Sequence, residues 1–152
     1  MLTTVGGERL TTTDITGMFF SEDLQKVAVL HELFMSEYNF VLTGSCADAY
    51  PDNKSGISPH DVDFFVREIP ELRKFLLSQG FQRVFAGGYA DITLSCVYYH
   101  PAGIHVQTIL PERFEKKLLV MWEYHMICRM FLLYPTKGER EILLESMFRL
   151  AR

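Results

Sequence analysis

Two short apolar runs separated by a polar, turn-rich stretch constrain this chain more than any other feature. The first, Phe40-Val-Leu-Thr43, has strand length and stops at Gly44-Ser45. The second covers residues 62–66, and Asp61 and Asp63 precede and interrupt it. Between them, residues 47–50 read as a short helix, and residues 51–60, rich in Pro, Asp, Asn, Ser and Gly, read as an exposed loop. A helix and a loop placed between two strands commit the chain to a mixed helix-and-sheet architecture.

The flanking sequence extends this pattern. Ser21 is the expected N-cap of a helix over residues 21–38, whose buried face is expected to hold Leu24, Val27, Ala28, Leu30, Leu33 and Phe34. Pro70 suits the first turn of a helix ending near Gln79, with Gly80 as its stop. Strands are expected at residues 81–85, 92–99 and 104–110, with Gly87-Gly88 and His100-Pro-Ala-Gly103 as the turns. A long apolar helix over residues 111–133 carries Trp122 near its middle; Tyr134-Pro135 breaks it, and helix resumes over residues 138–150. The expected order is α-β-α-β-α-β-β-β-α-α. It implies one α+β domain over residues 1–152, a mixed sheet flanked by helices, with a core at 21–110 and C-terminal helices at 111–152 packed on it.

Composition excludes several classes. With 48% hydrophobic and 22% charged residues the chain can bury a sizeable core and is not of disordered type. No apolar run approaches the roughly 18 residues that span a bilayer. The threonine-rich start, residues 1–16, lacks a secretory pattern, so a cytoplasmic location is expected. Cys46, Cys96 and Cys128 are odd in number and widely spaced, which fits reduced thiols. The net charge of −4 argues against a protein that mainly grips nucleic acid.

The chemistry-bearing residues fall at the junctions of these elements. A glycine where a strand meets a helix permits close backbone approach, so Gly44 and Ser45 are candidates to hold phosphate oxygens; a purely structural Gly-Ser turn is the commoner case. Residues i and i+2 of a strand share a face, so Asp61 and Asp63 converge. Two such carboxylates repel unless a cation joins them, and Mg²⁺ takes carboxylates and phosphates together. The apolar flanks Val62, Phe64, Phe65 and Val66 argue against a simple solvated charge run.

Together these features, in VLTGSCADAYPDNKSGISPHDVDFFV, resemble the motif of polymerase-β-like nucleotidyltransferases, with a loop at the long end of the family's range. The resemblance covers residues 21–110. It implies a nucleotidyltransferase-like fold, a triphosphate held at Gly44 and Ser45, and metal at Asp61 and Asp63. It also implies transfer of a nucleoside monophosphate from a nucleoside triphosphate to a hydroxyl on a protein, a small molecule or an RNA end.

The family has a third carboxylate on a later strand. Here that strand holds His105 or Gln107, depending on register, and neither is an acid. Histidine can act as a base near neutral pH, whereas glutamine offers only a neutral oxygen. Asp91, the nearest acid, is expected to lie far from both. The departure opens an alternative, a catalytically degenerate member that binds a nucleotide or a partner without turnover. Lys137 and Arg140 share a helix face and are candidates for phosphate contact, or else a solvated pair balanced by Glu139 and Glu141. His60 is a candidate to orient a phosphate or an aspartate; His31 and His125 read as packing or surface residues. The aromatic residues Phe114, Trp122, Tyr124, Phe131 and Tyr134 read as core before they read as a stacking platform, and the C-terminal helices offer a surface for a homo-oligomer or a regulatory partner.

Overall fold

The structure, a computed structural model, describes residues 1–15, 23–49, 61–84, 94–133, 136, 138–139, 141–142 and 145. In chain order these form β1 (Leu2–Thr3), β2 (Arg9–Leu10), α1 (Thr12–Ile15), α2 (Leu24–Met35), β3 (Phe40–Thr43), α3 (Gly44–Ala49), β4 (Val62–Arg67), α4 (Pro70–Ser78), β5 (Gln82–Val84), β6 (Leu94–His100) and β7 (Ile104–Ile109). A 3-10 turn at Pro111–Arg113 then leads into α5 (Phe114–Leu133). The architecture is α+β, with a mixed seven-stranded sheet in the order β2-β1-β3-β4-β7-β6-β5.

Strand alternation divides the side chains between two faces. Val62, Phe64 and Val66 of β4 join Phe40, Leu42, Ile104, Val106 and Tyr98 on one face, where Leu30 and Leu33 of α2 and Leu72 and Leu76 of α4 cover them. Phe40 and Phe64 meet edge to face at 6.2 Å, a favoured aromatic geometry. On the other face Val41, Phe65 and Ile109 form a smaller cluster under α5 with Val5, Phe114, Leu118 and Met121. Arg67 fixes the start of that helix, lying 4.8 Å over the Phe114 ring and bonding Glu115 at 2.9 Å. Asp63 and His105, on this same face, each keep about a third of their side-chain surface exposed.

The central strands and α4 lie where the sequence places them, including the Pro70 start and Gly80 at φ +89°. The N-terminal elements are an addition. The polar, threonine-rich start, for which no element is expected from the sequence, supplies β1, β2 and α1, and β1 runs parallel to β3. The Met1 ammonium donates to the carbonyls of Leu33, Ser36 and Tyr38, which brings β1 to the C-terminal end of α2.

Helix α2 is also shorter and rotated relative to expectation. Its N-cap is Asp23, whose carboxylate accepts the Lys26 amide at 3.1 Å; Ser21 lies outside the described residues. The buried face holds Lys26, Val29, Leu30 and Leu33, while Leu24 is 78% exposed and Ala28 is exposed. The rotation is possible because Lys26 buries its aliphatic stem and keeps its ammonium near Asp23, at 3.9 Å. Asp23→Ala is expected to cost about 1 kcal/mol of stability, read from denaturant unfolding, because it orphans the α2 N-terminus. An unchanged midpoint would show that the cap is unimportant. The expected loop at 51–60, the Gly87-Gly88 turn, Asp91 and most of the expected last helix lie outside the described residues.

Candidate functional site

Three elements bring the candidate residues together at one end of the sheet. Strand β3 ends at Thr43, which sits directly opposite Asp63 of β4, and Asp63 sits opposite His105 of β7. Gly44 opens α3 at φ +71°, a backbone conformation glycine adopts without penalty. A side-chain Cβ there would lie 2.8 Å from Oδ2 of Asp63. The turn and the carboxylate are thus in contact. Ser45 is the second residue of α3.

The register resolves the choice on β7. His105 faces Asp63, with Nδ1 at 3.3 Å from Oδ1, whereas Gln107 stands opposite Phe65, farther along the strand. His105 therefore occupies the position beside the acid pair, and Gln107 borders the apolar patch. Asp61 precedes β4 and is exposed; Asp63 is half-buried. Burial raises the Asp63 carboxyl above its usual value, His105 opposes that shift, and the Asp61 charge adds to it. Two carboxylates close enough to repel, one of them already bonded to a histidine, fit a single hard cation shared with a ligand's phosphates. They fall short of a protein-only cage: no group of three or more His, Cys, Asp or Glu side chains among the described residues is arranged to hold a metal ion.

Cys46 and Lys26 also act on the α3 side of the site. Cys46 donates from Sγ to the Asp61 carbonyl at 3.4 Å, tying the acid-bearing segment to the glycine turn. Burial pushes its thiol up to about 12, the Asp63 and Asp61 charges add to this, and Lys26 acts against it. The Lys26 charge therefore acts at the same end of the sheet, although Lys26 sits on the expected outer stripe of its helix. Cys46 is expected to resist iodoacetamide at pH 8 in the native chain and to react in denaturant, as followed by peptide mass mapping. Rapid native alkylation would contradict the buried, protonated thiol.

The remaining candidates separate as follows. His60, Lys137 and Arg140 lie outside the described residues. His100 is buried in the β6–β7 turn, where Nδ1 accepts the Ala102 amide at 3.0 Å. His31 is exposed beside Phe34, 6.4 Å between rings. Phe114 is core, whereas Trp122 and Tyr124 are exposed on α5. No helix among the described residues is long and apolar enough to cross a membrane.

No protein-family model matches the chain, and no curated protein or solved structure matches it either.

Proposed function

We propose that this chain is a nucleotidyltransferase of the polymerase-β-like type, binding a nucleoside triphosphate with Mg²⁺ and passing a nucleoside monophosphate to a hydroxyl acceptor. One observation carries the reading: Gly44, Asp63 and His105 meet on three adjoining strands, β3 with its α3 turn, β4 and β7. The α3 turn, Gly44 and Ser45, would take the β- and γ-phosphates, and Lys137 and Arg140 remain candidates to assist. Asp61 and Asp63 would hold Mg²⁺, which supplies neutralising charge for the phosphates. The acceptor oxygen attacks the α-phosphorus, the bond to the bridging oxygen breaks, and pyrophosphate leaves with the electron pair. His105, held by Asp63, takes the hydroxyl proton, the role a carboxylate fills in the family. Gln107 serves packing at the edge of the site rather than chemistry.

A second reading has its own support, since a histidine stands where the family has an acid. In it the chain binds a nucleotide or a regulatory partner without turnover. The exposed Leu119, Val120 and Tyr124 on α5 would then be the contact surface for a partner or a second copy. The free thiols of Cys46 and Cys96 support a cytoplasmic setting for either reading.

The discriminating experiment measures pyrophosphate release and, by calorimetry, triphosphate binding with and without Mg²⁺. Mg²⁺-dependent release that disappears in Asp61→Ala supports the enzyme. Binding without release supports the second reading, and no binding of any of the four triphosphates rejects both nucleotide readings.

A further inference from the structure

The pairing registers place five polar residues in one line across the sheet. Gln82 of β5 lies opposite Tyr99 of β6, Tyr99 opposite His105, His105 opposite Asp63, and Asp63 opposite Thr43. Directly opposed residues share a face, so this row runs across the same face of the sheet as Val41 and Phe65, where Asp63 and His105 each keep about a third of their side-chain surface exposed. The His105 and Tyr99 rings stand 4.8 Å apart, which confirms that the two side chains face the same way. Tyr99 is half-buried, and Gln82 is exposed on the edge strand.

In-line displacement orders the reactants along this row. The attacking hydroxyl and the leaving pyrophosphate must lie on opposite sides of the α-phosphorus. With pyrophosphate toward the α3 turn and His105 receiving the hydroxyl proton, the acceptor must lie beyond His105, over Tyr99 and Gln82. We propose that Tyr99 and Gln82 form the acceptor subsite and that the acceptor is a small, neutral, sugar-like ring alcohol; this rests on the nucleotidyltransferase reading above.

The chemistry of the two side chains selects that class. An aromatic ring offers an apolar face to the C–H face of a saturated ring, and a carboxamide both donates to and accepts from hydroxyls. Among the described residues the row beyond His105 holds only Tyr99 and Gln82, and neither offers a charge to compensate a phosphate, an ammonium or a carboxylate on the acceptor. The bond at stake is the one already described, from the acceptor oxygen to the α-phosphorus, with the proton going to His105.

The test uses the full chain with Mg²⁺ and the four α,β-methylene triphosphate analogues, which bind without transfer. Calorimetry first establishes nucleotide binding; NMR titration of methyl β-glucoside into the loaded protein then reports the subsite. Tyr99→Leu is expected to weaken the glucoside about tenfold, the size of one aromatic contact, with Tyr99→Phe near wild type. Gln82→Ala, at an exposed position that does not threaten folding, is expected to weaken it as well. Nucleotide affinity should stay within about twofold in all three variants, and glucose 6-phosphate should bind more weakly than the neutral glucoside. Glucoside binding that is absent in the wild type or unchanged in Tyr99→Leu overturns the subsite and leaves the nucleotide reading intact. Loss of nucleotide affinity in Tyr99→Leu assigns the ring to the base of the triphosphate and also overturns it. Failure of every analogue to bind removes the nucleotide reading and the subsite together.

Discussion

Asp63→Ala is expected to lower Mg²⁺-dependent nucleotide turnover by on the order of a thousandfold, while leaving the chain at least as stable as wild type at neutral pH. The activity loss follows from the position of the carboxylate, which touches both the Gly44 turn and His105. The stability expectation follows from its protonation. Burial raises the folded-state value of Asp63 above that of the unfolded chain, so the folded state holds the proton more tightly. The stability this group contributes is therefore present at acid pH and lost as pH rises through the folded value. Above the folded value the carboxylate is charged in both states and its burial works against folding, so removing it relieves that penalty. His105, a third exposed, remains solvated without its partner. Thermal melts of wild type and Asp63→Asn should accordingly differ more at pH 7 than at pH 4, and Mg²⁺ should raise the melting temperature of wild type alone. A variant that melts well below wild type at pH 7, or responds equally to Mg²⁺, would show Asp63 to be a structural anchor instead.

The part of this site that was legible in the sequence is the part set by local geometry. Gly44 at the end of an apolar strand follows from the conformational freedom of glycine, and the alternation of Asp63 with Val62 and Phe64 follows from the period of a strand, whereas Asp61 precedes β4. The choice between His105 and Gln107 was not legible in the same way. It depends on how β4 and β7 slide past one another, and those strands are separated by α4 and the whole β5–β6 hairpin. No turn between them sets the register, and a shift of two residues would keep the same face toward Asp63. The subsite row was hidden for the same reason, since Gln82 and Tyr99 become neighbours of His105 only through two further pairings.

Other differences arise where side chains do two jobs. Lys26 reads as an outward position on α2 because its charge dominates any hydropathy pattern, yet its stem packs in the interior. Leu24 reads as inward by the same pattern but sits in the first turn, where the helix has not yet reached the sheet. Strands β1 and β2 have two residues each, too short for alternation to be seen, and β1 exists because it pairs along β3. Such pairing is a tertiary event, and a threonine-rich stretch carries no local sign of it.

Gly44→Ala should reveal how closely fold and chemistry are joined at this end of the sheet. Two penalties combine there. An L-residue at φ +71° costs about 1–2 kcal/mol relative to glycine. The new methyl would also sit 2.8 Å from Oδ2 and 3.4 Å from Cβ and Cγ of Asp63, closer than the carboxylate can accept without moving. Asp63 is short, and β4 holds its backbone between β3 and β7, so relief requires the carboxylate to turn away from His105. The expected result is a stability loss of about 1–3 kcal/mol together with loss of Mg²⁺-dependent nucleotide binding. Gly80→Ala supplies the comparison: it too has positive φ, +89°, and its methyl would meet His100 Nε2 at 3.2 Å, on the face of the sheet opposite Asp63. That variant should lose stability to a similar degree and keep nucleotide binding. If both variants lose stability and neither loses binding, the contact between the glycine turn and Asp63 is only a packing detail. If Gly44→Ala alone loses binding, the turn and the carboxylate act as one unit, because glycine there leaves Asp63 free to face His105.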